Sequence, residues 1–316
     1  MDTAVHRPGL APAPRKKKGI VWAFQKYWML YALFAPVLLH YIVFQYIPMA
    51  GIVTAFQEYR VFRGVWASEW VGLKHFESFF SSIFAWRVIR NTLSINIIEL
   101  IFGFPAPILL ALMLNEVRSN KFKRTVQTIS YMPHFISTVV IVGLIFTFVG
   151  TRGPINEALA FFNLPPLRYA SNPNAFYPVF VLSGIWQGIG WGSIIYLAAL
   201  TNVDPQLIEA ATIDGAGRFK RIWHIALPAI APTITIMLIL RLGSMMSVGT
   251  EKVFLMYNPA LYERADVIGT FVLRRGFIEG SFSFGAAVGL FNSIVNCILL
   301  IVSDRLSKLF GQSGLF

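Results

Sequence analysis

Glu99 and Arg241 are ionisable residues inside long apolar runs. A charge held in hydrocarbon needs a counter-charge, water or a ligand. Counted inward at ~1.5 Å per helical residue, His40, Glu99, Trp186, Gln187, Arg241 and Asn292 all fall roughly 9–15 Å from the same side. Such a belt suits passage of a polar solute. Carboxylate, guanidinium and amide groups can bond hydroxyls, and the indoles of Trp186 and Trp191 offer flat faces to the C–H patches of a sugar ring. The matching depth of Glu99 and Arg241 predicts a direct pair, which serves equally well as a lock between two spans. Trp191 leans toward helix packing or lipid contact, and Trp186 toward the pathway because Gln187 adjoins it. Gly184 and Gly188 form a small-xxx-small pair for close helix approach. Asn91, Asn96, Asn292 and Asn296 fit interhelical hydrogen bonding as readily as pore lining. His40 and His134 read as satisfied interior histidines, with no HExxH and no paired spacing to support a metal site. Neither G-x-x-x-x-G-K-[ST] nor G-x-S-x-G occurs, so no nucleotide loop or nucleophile elbow is expected.

A second constellation is polar. Glu209-Ala210-Ala211 is followed by Asp214-Gly215-Ala216 and then by Ile225-Ala226-Leu227-Pro228. Asp204 at an N-cap with Pro205 at the first helical position predicts a short helix over 205–213. The alanine pair gives a smooth surface for close docking, and Glu209 offers a carboxylate to a basic partner group. Gly215 and Gly217 allow a sharp turn, Asp214 is expected to brace it, and Pro228 suits the start of the next helix. The rival reading is a connector lying on headgroups through Arg218, Lys220 and Arg221, which does not call for the alanines or the glycines.

The elements that carry these residues follow from composition. The 316 residues are 56% hydrophobic and 13% charged, with a mean hydropathy of +0.61. This is the composition of an all-α integral membrane protein, because a soluble domain has about 25% charged residues. Runs long enough to cross a bilayer lie near 28–49, 91–114, 128–149, 177–200, 225–247 and 284–304. Residues 1–27 read as a disordered basic tail, with no cleavable signal, ahead of one transmembrane domain over 28–316. Arg15–Lys18, the 115–127 connector and the 201–224 loop share one side with the C-terminus, which the positive-inside rule makes cytoplasmic. The net charge of +12 is therefore assigned to membrane topology, not to nucleic acid. The lone cysteine, Cys297, excludes an internal disulfide.

The pattern E-A-A-x-x-x-G over 209–215, followed by I-x-L-P over 225–228, resembles the coupling loop of permease subunits of ABC importers. Tyr31–Pro36, Asn91-Thr92-Leu93, Tyr131-Met132-Pro133, the 252–259 stretch, Asp266-Val267-Ile268 and Gly289–Ser293 are similar to sugar permeases of the maltose-transporter class. Within that class the 252–259 stretch, with Asp266-Val267-Ile268 and Gly289–Ser293, looks closest to the subgroup for pectin-derived or related acidic oligosaccharides. The resemblance implies a type I importer fold in a bacterial cytoplasmic membrane and a non-catalytic subunit working by alternating access. It also implies a second permease, an ATPase dimer that binds ATP and Mg, and an extracellular solute-binding protein. Glu209, Ala210, Ala211, Asp214, Gly215, Leu227 and Pro228 would then face the ATPase. A permease for another small solute shares the loop and stays open. A secondary transporter would need more ionisable residues and an internal repeat, and a membrane enzyme would need a catalytic set.

Overall fold

The computed structural model describes residues 25–309, so all but the last three residues of the tail expected over 1–27 lie outside it. The regular secondary structure of the described residues is helical apart from one short antiparallel pair, Gln57–Glu58 with Glu69–Trp70. Six segments are long and apolar enough to cross a membrane: Trp28–Phe56, Ala85–Asn115, Thr138–Phe161, Pro173–Leu200, Arg218–Leu242 and Phe282–Lys308.

The described residues fall into two compact units that divide between Ile52 and Val53. The first holds helix α1, Trp28–Tyr41, continued by a π turn at Ile42–Tyr46. It is apolar all round and has no buried residue, as expected of a helix solvated by lipid. His40, expected to be interior, is exposed and packs its ring against Phe44 at 5.0 Å.

In the second unit, Ala85–Ile98 (α2) and Pro105–Asn115 (α3) make one span joined by a π turn, Glu99–Gly103. The prolines explain the irregularity. Pro105 and Pro107 cannot donate to the preceding turn, and their rings crowd its carbonyls. The wider turn relieves that crowding, and the Phe104 amide bonds Glu99 five residues back at 2.9 Å. After α3, Asn120–Tyr131 (α4) is a separate amphipathic helix whose Ser119 hydroxyl caps the Phe122 amide. A 3₁₀ turn at Met132–Phe135 ends it, so the third span opens with Thr138–Val149 (α5) and not near 128. Hydropathy merged the two because the apolar face of α4 runs straight into α5.

The fourth span contains Phe176–Leu200 (α6). It packs along α3 and α4 and against the fifth span's Leu227–Leu242 (α8), and α8 packs against Phe282–Leu309 (α10) of the sixth. Pro205–Ile213 (α7) lies in the connector before α8. One end of this unit holds 57–84, 150–172 and 248–281 and is called the loop end. The other holds α4 and the 201–221 connector and is called the elbow end.

The loop end is tied by buried polar groups. Asp266 is fully buried and accepts from Arg87 at 3.0 Å, Arg274 at 2.7 Å and the Thr270 hydroxyl at 3.0 Å. Asn91 donates to the carbonyls of Glu263 and Asp266 and accepts from the Tyr177 hydroxyl, so it acts as interhelical glue. Burial pushes the Tyr169 phenol well above its ordinary pKa, and its hydroxyl donates to the Met256 carbonyl at 3.0 Å.

Candidate functional site

Helix α6 contributes to two apolar cores and leaves a gap between them. Phe176, Phe180 and Val181 enter a core at the loop end with Ile95, Ile141 and Val253. Tyr196, Leu197 and Leu200 enter another at the elbow end with Ala111, Leu112 and Ile230. The intervening face carries Gly184, Gly188 and Gly192, which fill little volume. A cavity of about 420 Å³ opens there against Gly103, Phe104 and Pro107 of the second span and Met237, Leu240 and Arg241 of α8.

Glu99 and Arg241 meet at this cavity. The Arg241 guanidinium is hydrogen-bonded and ion-paired to the Glu99 carboxylate, and it also donates to Asn96 Oδ1 at 3.3 Å. Their side chains keep 24% and 30% exposure respectively, so the pair borders the open space and is not sealed in a core. Glu99 begins the π turn, which connects the pair to the one irregular point of its span.

Not every residue at the matching depth reaches the cavity. At 100° per residue, Gly184, Gly188 and Gly192 form one stripe, and Trp186 points to the far side, where it is half exposed. Gln187 is partly buried, does not line the cavity and makes no hydrogen bond among the described residues. Trp191 is also half exposed and stacks on His134, with ring centroids 4.6 Å apart and planes 3° apart. His134 is thus an exposed stacking residue, contrary to the interior role expected of it. Asn292 does not line the cavity, and its Oδ1 is buried without a partner. The Gly184/Gly188 pair makes no helix contact of the expected kind. The close approaches fall at Gly190, which meets the Ser130 backbone, and at Gly192, which meets Pro107.

At the elbow end, the Asp204 side chain accepts from the Gln206 amide at 2.9 Å and starts α7. The helix ends in a Schellman arrangement. The Ala216 amide bonds the Ala211 carbonyl at 2.8 Å and the Gly215 amide bonds Thr212 at 3.1 Å. Gly215 has φ of +75°, so the glycine of E-A-A-x-x-x-G is the left-handed residue that this cap requires. The cap itself is made of backbone bonds, and the side chain that reaches it is that of Arg221. The Asp214 carboxylate, expected to brace it, is exposed and has no partner among the described residues. Glu209 and Ala210 are exposed, Ala211 is half-buried, and Leu207, Ile213 and Phe219 stand out nearby as exposed apolar side chains. Leu227 packs partly into the elbow-end core, and Pro228 sits exposed in the first turn of α8. A π turn at Ile222–Ala226 precedes Pro228 and spares the carbonyl its ring would strike.

Arg221 gives the loop a fixed attachment that the sequence reading missed. Its guanidinium donates to the Ala216 carbonyl at 3.2 Å and to Glu116 at 3.3 Å, binding the connector to the end of the second span. In the sequence it is one cation of a basic run, and only its neighbours in space reveal the bond to Glu116. Arg221→Ala is expected to weaken this attachment by about 1.5 kcal/mol. Exchanging the charges, with Glu116→Arg and Arg221→Glu together, should recover most of it in a double-mutant cycle on the melting of the purified protein. A cycle with no coupling energy would remove the bracket.

A family model described as "Binding-protein-dependent transport system inner membrane component" matches residues 103–310. The chain is 45% identical over 303 residues to the polygalacturonan/rhamnogalacturonan transport system permease protein YteP of Bacillus subtilis, covering 96% of this chain and 94% of that one. It is 43% identical over 309 residues to protein LplB of the same organism, covering 97% of each. A solved bacterial alginate ABC transporter, in complex with an alginate pentasaccharide-bound periplasmic protein, contains a chain of 38% identity. The two superpose with a TM-score of 0.86 over 94% of this chain and 100% of that one. With six apolar spans, the chain belongs to the binding-protein-dependent transport inner membrane components, as a permease subunit of an ABC importer of the type I fold.

Proposed function

We propose that this chain is one half of a heterodimeric permease that imports acidic plant- or alga-type oligosaccharides across a bacterial cytoplasmic membrane by alternating access. The observation that carries the reading is the cavity between the second, fourth and fifth spans, glycine-walled and bordered by Glu99, Arg241 and Asn96. A polar solute finds in the partly exposed pair hydrogen-bonding groups that an apolar one could not use. The acidic substrate class rests on the relatives, whose names or descriptions specify polygalacturonan, rhamnogalacturonan and alginate.

In this proposal the loop end faces outward and receives sugar from a solute-binding protein. The elbow end faces the cytoplasm, where α7 docks on an ATPase that binds ATP and Mg²⁺. Exposed Glu209 pairs with a basic group of that ATPase, and the exposed Leu207, Ile213 and Phe219 fill its groove. Closing of the ATPase pair pulls on α7, and the Schellman cap and the Arg221–Glu116 bond pass the motion to the second and fifth spans. Those two spans carry Glu99 and Arg241, so the motion reaches the cavity walls directly. Trp186 and Gln187, turned away from this cavity, fit a surface completed by the second permease.

The test is ATP hydrolysis by the reconstituted complex, stimulated by the binding protein loaded with an oligogalacturonate. Glu209→Lys is expected to reduce stimulation at least about tenfold, the effect of losing a charged contact worth on the order of 1.5–3 kcal/mol. Unchanged stimulation and uptake in that variant would mean that α7 is not the docking element.

A further inference from the structure

Arg241 is the evident cation of the cavity, but its charge is already matched by Glu99. The excess charge lies on Lys252. This residue belongs to the short helix Thr250–Met256 (α9), outside the six spans. The helix is fixed from several sides. Val253 and Met256 are in the loop-end core, the Met256 carbonyl accepts from Tyr169, and Thr250 lies hard against Gly269. Lys252 therefore has a defined position and does not sweep through solvent.

The residue is only 9% exposed, and lysine is rarely so buried without an anionic partner. Among the described residues it forms no ion pair, and the nearest opposing charge acting on it is the Glu99 carboxylate. Its ammonium donates to the Phe180 carbonyl at a long 3.3 Å and lies 4.8 Å from the centre of the Phe180 ring. Two of its three donors thus have no hydrogen-bond partner among the described residues. Burial pushes the amine down to about 8, with the Glu99 carboxylate opposing that fall, so the group is still mainly protonated at neutral pH.

Gly184 connects the amine with the cavity. A Cβ at that position would stand 3.6 Å from Lys252 Nζ and 3.7 Å from Glu99 Oε1, and Gly184 and Glu99 both line the open space. Lys252 does not itself line the cavity, but Gly184 does, and the space a side chain would fill at Gly184 lies within contact of the ammonium. Around this point the ionisable groups are Glu99, Arg241 and Lys252, so the site carries one net positive charge.

Building on the acidic-sugar reading above, we propose that Lys252 is the specificity-determining residue of this subunit. Its ammonium, reached across Gly184, takes the carboxylate of a uronate residue as the sugar passes. The Glu99–Arg241 pair beside it stays intact and bonds the sugar hydroxyls. An anion entering here gains a desolvated cation that is not held in an ion pair, since the Glu99 carboxylate is hydrogen-bonded to Arg241. A neutral sugar gains no such contact, so the site discriminates by charge and not by size.

The experiment is uptake of labelled oligogalacturonate into proteoliposomes holding the full complex and its binding protein. Wild type is compared with Lys252→Met, Lys252→Arg and Gly184→Ala. Lys252→Met is expected to lower uptake on the order of tenfold or more, and Lys252→Arg to retain at least about a third, as loss or retention of a charged hydrogen bond requires. Gly184→Ala, which interposes a methyl group, should fall between them. A merely structural Lys252 gives the opposite order, because methionine fits a desolvated slot and arginine overfills it. Wild-type uptake by Lys252→Met, or equal loss in Lys252→Met and Lys252→Arg, overturns the assignment while leaving the importer reading intact. Absence of oligogalacturonate uptake by the wild-type complex, when its binding protein binds that sugar, overturns the acidic-substrate reading and the assignment together.

Discussion

Asp266→Ala is expected to cost about 3–5 kcal/mol of stability, the penalty for breaking a buried ion pair by removing one partner. The carboxylate is fully buried and is the shared acceptor of Arg87, Arg274 and Thr270, so its loss strands two guanidinium groups at once. Arg87 Nε and Arg274 Nη1 are already without partners, and the network has no spare acceptor. Asp266→Asn should be nearly as damaging, since an amide accepts but does not neutralise. Thr270→Val, which deletes one neutral donor, should cost only about 1 kcal/mol. The measurement is thermal melting of the purified complex, followed by tryptophan fluorescence. Equal, small shifts in all three variants would show that the cluster is a solvated surface feature. The consequence for transport follows from the chain path. Asp266 anchors the segment that follows α9 onto the second span, so variants that survive should also misplace Lys252 and lose uptake.

Gly190→Ala is the second large effect. A Cβ there would lie 2.1 Å from the Ser130 carbonyl oxygen and 2.3 Å from its carbon. Both atoms are backbone at the end of α4, so relief requires moving the whole helix away from α6. Overpacking of this kind costs about 1–3 kcal/mol, and a rigid backbone neighbour places it toward the upper end. Gly188→Ala is the internal control. Nothing lies within 4 Å of its added methyl, and alanine should stabilise the helix by up to about 1 kcal/mol. Melting of the two variants should therefore move in opposite directions. Similar melting would mean that α4 is loosely held. Because α4 lies at the elbow end beside the proposed docking face, Gly190→Ala should also lower binding-protein-stimulated hydrolysis in whatever protein remains folded.

The amino-acid sequence determined local features by itself. Asp204 and Pro205 could only start a helix, Gly215 could only end it in the left-handed conformation, and six apolar runs could only be spans, because each depends on neighbours within a few residues. The Glu99–Arg241 contact was also legible, because charges in an apolar segment have few other partners. What tertiary structure decided was azimuth and pairing. Depth along a helix follows from counting, whereas the face turned inward depends on the packing of neighbouring helices. Trp186 and Asn292 therefore share the depth of Glu99 but not its cavity. The same holds for Arg221, whose acceptor Glu116 lies 105 residues away, and for Gly190, whose tight neighbour is on another helix. Lys252 shows this most clearly. In sequence it is a polar residue in a loop between spans, and only the folding of α9 against Phe180 and Gly184 makes it a buried cation beside the glycine that lines the cavity.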